Sequence, residues 1–194
     1  LRVIDNLVKK NKYKFEFIDL GGGMGISYQE NKKKLNYKKY SLAIKKFLKK
    51  NNCKIIFEPG RSIIGNAGIL ITKVIYIKES QTKNFVILDA AMNDFMRPAL
   101  YGAKHRIIPL NKKKKISKKT YEFVGPICET TDKFLTVVKY QKMNQRDIVI
   151  ICDVGAYGMV LSSNYNLRPK PSEILVNKSS AKIIAKRQKL NNII

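Results

Sequence analysis

The chain has 194 residues, 44% of them hydrophobic and 9% aromatic, which excludes wholesale disorder and leaves room for one large domain or two small ones. Its apolar runs, such as residues 69–77, are broken by lysine and far too short to span a bilayer, so no membrane partner is expected. The 39 Lys and Arg residues against 14 Asp and Glu give a net charge of +25, compatible with a polyanion partner or with a biased composition.

The distribution favours bias. Arginine occurs only at positions 2, 61, 97, 106, 146, 168 and 187, while lysine is spread over the chain among abundant Asn and Ile, as AT-rich coding would produce. Nucleic-acid readers interleave arginine and aromatics on one surface. No specific nucleic acid is therefore expected, only a weak, salt-sensitive attraction to anions. Cys53, Cys128 and Cys152 form no paired spacing, which argues against a disulfide framework or a metal site and fits a reducing cytoplasm. Residues 1–14 lack the continuous apolar core of a signal peptide. The chain has no initiator Met and begins inside a helical pattern at residues 3–10, which we read as a truncated chain without its upstream part.

In chain order, residues 15–20 (FEFIDL) form a buried-type strand that runs into Gly21-Gly22-Gly23-Met24-Gly25. Residues 38–50 carry Tyr40, Leu42, Ala43, Phe47 and Leu48 at amphipathic-helix spacing. Residues 54–57 form a second strand, closed by Glu58-Pro59-Gly60-Arg61. Strand, glycine loop, helix and strand make the rhythm of a parallel sheet with helical crossovers. The rhythm changes near residue 65. Strand-like runs follow at 68–77, 84–89, 121–124, 134–138, 148–152 and 174–176, predicting an antiparallel sheet or barrel. Residues 112–119 read as a solvated charged loop, and the tail from Ser180 as a basic helix. The predicted organisation is thus α/β over 1–65 and all-β over 66–194.

Several segments carry chemistry. Consecutive glycines after a strand either make a plain tight turn or point backbone N–H groups at a phosphate; the loop is neither a Walker loop nor a GxGxxG fingerprint. Glu58 and Arg61 lie at a strand's C-terminal end, where α/β folds face their ligand; a carboxylate there can pair with a cationic ring nitrogen, or with Arg61 as an internal pair capping the next helix. Arg97 and Tyr101 stand four residues apart, on one side of a helix or turn, with Phe95 and Met96 as packing residues. Gly125-Pro126-Ile127-Cys128-Glu129-Thr130 holds a thiol and a carboxylate in a turn; a lone Cys is either a proton donor or a small buried hydrophobe. In Asp153-Val154-Gly155-Ala156-Tyr157-Gly158 a phenol stands among small residues, free to reach a phosphate or substrate. His105, the sole histidine, reads as a partly exposed structural residue and excludes a Ser-His or His-metal centre built from this chain alone.

Taken in order, the segments DLGGGMGISY, EPGRSIIGNAG, MNDFMRPALY, GPICETTD, DVGAYG and SNYNLRPKPSEILV resemble the C-terminal part of the diaminopimelate decarboxylases, lyases of lysine biosynthesis that use pyridoxal 5'-phosphate. The resemblance runs from about residue 17 to residue 176. It implies a partial alanine-racemase-like TIM barrel, with its N-terminal portion missing, followed by a Greek-key β-barrel domain. It further implies a homodimer with active sites at the subunit interface and meso-diaminopimelate as substrate. By this resemblance Gly21, Gly22 and Gly23 hold the cofactor phosphate. Glu58 faces the pyridine nitrogen and keeps it protonated, with Pro59, Gly60 and Arg61 lining cofactor and substrate. Arg97 and Tyr101 bind substrate polar groups. Cys128 donates a proton and Glu129 meets a substrate ammonium, both reaching into the partner's site, and Tyr157 touches cofactor and substrate. The family's Schiff-base lysine and ring-stacking histidine lie upstream of this chain, and Thr130 stands where serine is common. The segment alone is therefore expected to be inactive. Alternatives are a related ornithine, arginine or carboxynorspermidine decarboxylase, a non-catalytic dimerising homologue, or a basic nucleic-acid binder.

Overall fold

The computed structural model describes residues 1–11, 14–28, 35–114, 116–117 and 119–194. They separate into two compact units, Leu1–Gly65 and Asn66–Ile194.

The first unit contains α1 (Arg2–Asn11), β1 (Phe17–Asp19), α2 (Tyr37–Leu48), β2 (Lys54–Ile56) and the short α3 (Gly60–Ile64). Strands β1 and β2 pair in parallel, with Ile18 opposite Ile55. The connection between them carries α2, as a parallel pair requires. Asn36 caps α2 by accepting the Lys39 N–H at 2.9 Å, and the helix buries Ile44 and Phe47. Phe17 and Ile56 remain exposed on the two-stranded sheet.

The second unit is built on a six-stranded sheet in the order β5-β8-β3-β4-β6-β7. Its strands are β3 (Ile69–Glu79), β4 (Lys83–Leu88), β5 (Ile107–Pro109), β6 (Thr120–Val124), β7 (Lys133–Val137) and β8 (Ile148–Cys152). The long β3 serves two partners: residues 69–73 pair with β8 and residues 74–79 with β4, with a bulge between Val74 and Tyr76. The buried face carries Val74, Val86, Leu88, Phe123, Val149 and Ile151, the period-two pattern of half-covered strands. Tyr121, Phe123 and Tyr140 meet edge to face or tilted at 5.2–6.3 Å. The Tyr140 hydroxyl donates to Ile107 O at 3.1 Å, and burial pushes its pKa up.

Three expectations are corrected, and one strand was not expected. The sheet is mixed rather than antiparallel, because β4 and β6 pair in parallel. The return between them carries α4 (Arg97–Tyr101) and β5, long enough to bring the chain back in the same direction. Strand β5 escaped prediction because it is three residues long and ends in proline, tolerated at a sheet edge. The tail is not a helix: β10 (Ser180–Ala185) folds back antiparallel on β9 (Glu173–Asn177). The two-residue turn sets Lys178 at φ 53°, so the hairpin lacks the glycine that marks such turns in sequence. The charged 112–119 segment is not simply solvated. Lys113 Nζ meets Asp147 Oδ2 at 2.5 Å and Lys119 Nζ donates to Ser80 O at 2.9 Å, while Lys115 and Lys118 lie outside the described residues.

Candidate functional site

The first unit gathers its motif residues at the C-terminal ends of β1 and β2. Pairing continues past both strands: Leu20 N–H donates to Ile56 O at 3.1 Å and Glu58 N–H to Gly21 O at 2.9 Å. The glycine loop is thereby held against the backbone of Glu58. A Cβ on Gly22 would sit 2.7 Å from Glu58 O, so this position has no room for a side chain. Gly21 and Gly23 adopt φ values of 62° and 72°, the left-handed region. The Gly21 N–H donates to Asp19 Oδ1 at 2.7 Å. The Gly21 N–H is thus engaged within the turn. Open space lies where side chains would stand on Gly21, Gly23 and Gly25. Glu58 is exposed, Gly60 and Arg61 open α3, and the Ser62 hydroxyl caps the turn by donating to Pro59 O at 2.9 Å.

The second unit brings Arg97, Tyr101 and Tyr157 together. Arg97 is only 5% exposed, and its guanidinium carbon lies 5.7 Å from the Tyr101 ring and 5.6 Å from the Tyr157 ring. Helical spacing places Tyr101 beside Arg97, as the sequence implied. Tyr157 is half-exposed and held at φ 58°, a left-handed conformation uncommon for a bulky residue.

His105 is corrected: it is 1% exposed, not partly open. Its Nδ1 lies 3.0 Å from Cys152 O, and a carbonyl only accepts, so Nδ1 carries the proton. Nε2 then presents its lone pair to the Arg97 Nε–H at 3.5 Å. Phe95 packs edge-on against the imidazole at 4.7 Å.

Cys128 is exposed, so it is not the small buried hydrophobe of the bland alternative. Its neighbour Glu129 accepts from the Tyr165 hydroxyl at 3.1 Å, and this hydrogen bond raises the phenol's pKa. Beneath the turn lies Asp132, whose carboxylate accepts backbone N–H groups from Met92 at 2.7 Å and Ile127 at 2.8 Å. Burial pushes its pKa up. Arg168 ties the 89–94 loop to the segment after residue 163, through Nε to Asn93 Oδ1 at 2.9 Å and Nη2 to Asp89 O at 2.5 Å. Asp94 lies 3.7 Å from the same guanidinium; burial nonetheless raises its pKa.

Sequence reasoning gave His105 only a structural role and Asp132, Tyr165 and Arg168 none. The last three stand inside the quoted motifs, but apart from Ile127, five residues before Asp132, the side-chain partners named above are 36 to 79 residues away, and no local pattern reveals them. Among the described residues no group of three or more His, Cys, Asp or Glu side chains could hold a metal ion. Nor is any helix among them long and apolar enough to cross a membrane.

Comparison with known proteins adds a pattern over the whole chain. Residues 3–155 match the family model described as pyridoxal-dependent decarboxylase, C-terminal sheet domain. The diaminopimelate decarboxylase of Aquifex aeolicus is 40% identical over 190 residues, covering 98% of this chain and 45% of that protein. The one from Neisseria meningitidis serogroup B is 46% identical over 176 residues, covering 90% and 42%. The crystal structure of diaminopimelate decarboxylase from Helicobacter pylori complexed with L-lysine superposes with a TM-score of 0.85 at 39% identity, covering 98% of this chain and 47% of that one. A lysine/ornithine decarboxylase from Vibrio vulnificus, at 20% identity and a TM-score of 0.70, shares the fold alone. The chain spans about half the length of the curated relatives it matches.

Proposed function

We propose, from the fact that this chain belongs to the pyridoxal-dependent decarboxylase family, that the whole protein is a diaminopimelate decarboxylase, releasing one carboxyl group of meso-2,6-diaminopimelate as carbon dioxide to leave L-lysine. Residues 1–65 are then the last part of a cofactor-binding (β/α)8 barrel and residues 66–194 the β-rich domain, Greek-key in the complete protein. The enzyme is a cytoplasmic homodimer with sites shared across its interface.

One observation carries this reading. The loops after β1 and β2 are hydrogen-bonded together so closely that Gly22 admits no Cβ, which sets a glycine cradle against Glu58. Those residues fit pyridoxal phosphate: Gly22 and Gly23 for the phosphate, with Gly21 making the turn, and an exposed carboxylate for a cationic ring nitrogen. When bound, the cofactor supplies an electron sink for the pair of electrons left by decarboxylation. Glu58 must stay ionised to hold the proton on that nitrogen. Pro59 and Gly60 shape the loop beside it, and Arg61 takes a carboxylate or phosphate by its two-pronged fork. Arg97, fixed between Tyr101 and Tyr157, reads a substrate carboxylate. Tyr157 offers its hydroxyl to cofactor and substrate. Cys128 Sγ donates the proton that replaces the lost carboxyl group, and Glu129 holds a substrate ammonium.

The experiment is turnover by the full-length protein with pyridoxal phosphate. Carbon dioxide release from meso-diaminopimelate, with little from ornithine, arginine or carboxynorspermidine, is expected. Preference for any of the latter overturns the substrate assignment. Absence of a cofactor absorption band would instead favour a non-catalytic dimerising homologue.

A further inference from the structure

We infer that Asp132 is a positioning residue for Cys128, holding the thiol-bearing turn in register with the loop that leads to Arg97. The inference rests on the proposed reading of Cys128 as proton donor and goes beyond it, since that reading gives Asp132 no part.

The geometry is specific. Asp132 is 3% exposed. One carboxylate oxygen accepts the N–H of Met92 at 2.7 Å and the other accepts the N–H of Ile127 at 2.8 Å. Met92 lies five residues before Arg97, and Ile127 immediately precedes Cys128. A single side chain thus joins two backbone segments that belong to different connections of the sheet. The backbone of Asp132 adds to the hold, its carbonyl accepting from Gly125 N–H at 2.9 Å and its own N–H donating to Glu129 O at 3.1 Å.

Gly125 shows how closely the turn is fitted around the carboxylate. A Cβ there would collide with both carboxylate oxygens of Asp132. The glycine of the GPICETTD segment is thus required by its aspartate. A residue that only filled space would not need two acceptor oxygens aimed at two separate N–H groups. Charge matters too, because a carboxylate offers acceptors on both oxygens whereas an amide offers one.

The test is a double-mutant cycle in the full-length enzyme. Asp132→Asn keeps the shape but turns an NH2 toward one of the two N–H donors. Asp132→Asn is expected to lower kcat about 10-fold beside an intact Cys128 and less than about 2-fold in a Cys128→Ala background, because coupled residues are non-additive. An equal loss in both backgrounds, or none in either, overturns the inference. Amide hydrogen exchange supplies a second readout. Protection at Met92 and Ile127 should fall in Asp132→Asn while that of β6 and β7 is kept; unchanged protection at both overturns the inference. If Cys128→Ala keeps the parent kcat, the proton-donor reading fails on its own account, and exchange still decides the positioning role. Should Asp132→Asn not fold, Asp132→Glu, with two acceptors on a longer arm, goes through the same measurements, and the same outcomes support or overturn the inference.

Discussion

Arg97 meets three side chains, Tyr101, Tyr157 and His105, that sequence spacing connects only in part. Tyr101 lies one helical turn away and was legible from the sequence. Tyr157 and His105 arrive through the fold, one after the end of β8 and one in the run before β5. The neutral imidazole orients Arg97 by accepting from its Nε–H, so His105→Leu removes that acceptor without removing the arginine. In the full-length enzyme it should raise KM for meso-diaminopimelate about 10-fold, with a smaller change in kcat. His105→Gln, which restores an acceptor, should recover part of the loss; steady-state kinetics of the two variants check this. The motifs that hold the candidate residues were legible because each is contiguous in the sequence. Their supports were not, because buried hydrogen bonds between distant segments leave no trace in local spacing.

At the level of elements, the glycine loop and the β4–β6–β7 ladder make separate predictions. Gly22→Ala forces the loop away from Glu58 and should weaken pyridoxal phosphate binding about 10-fold, measured by titrating the cofactor into the full-length apoenzyme. Across the ladder, Glu122 is buried between Lys83 and Lys133. Burial opposes its charge, but the hydrogen bonds and charges of the two lysines outweigh this and hold the carboxyl below its ordinary value of 4.5. A lowered carboxylate contributes stability above the unfolded-state value and loses it as pH falls through the folded one. Glu122→Gln should therefore cost about 1–2 kcal/mol at pH 7, a figure discounted for the partly exposed lysines. That gap between parent and variant should begin to narrow as pH falls below about 4.5 and close only once the folded carboxyl, which titrates lower, is protonated, as read in urea titrations. The strands of this ladder were visible in the sequence from their β-branched and aromatic runs. Their direction was not, because a strand pattern is the same read parallel or antiparallel. The β9–β10 hairpin was half missed for another reason: lysine occupies the turn position at which glycine would have announced it.

For the molecule as a whole, the chain contains the glycine cradle and Glu58 but spans about half the length of its curated relatives. The resemblance puts the Schiff-base lysine outside it. The isolated chain supplied with pyridoxal phosphate should release no measurable carbon dioxide from meso-diaminopimelate; clear turnover would contradict this. The net charge of +25 makes a second prediction at this scale. Retention on an anionic matrix should fall away between about 50 and 200 mM salt, without selectivity among nucleic-acid sequences, as diffuse lysine charge dictates.

The parallel pairing of β4 with β6 also orders events on the ribosome. Thr120, the first residue of β6, is translated well after Leu88 closes β4, with all of α4 and β5 in between, and β8, the partner of β3 on the other side, comes later still, so the emerging β3–β4 hairpin waits with both flanks bare. During that interval its exposed N–H and C=O groups are open to any extended neighbour, including another nascent copy. The stretch between Leu88 and Ile148 is therefore where a chaperone would matter most to the yield of folded protein.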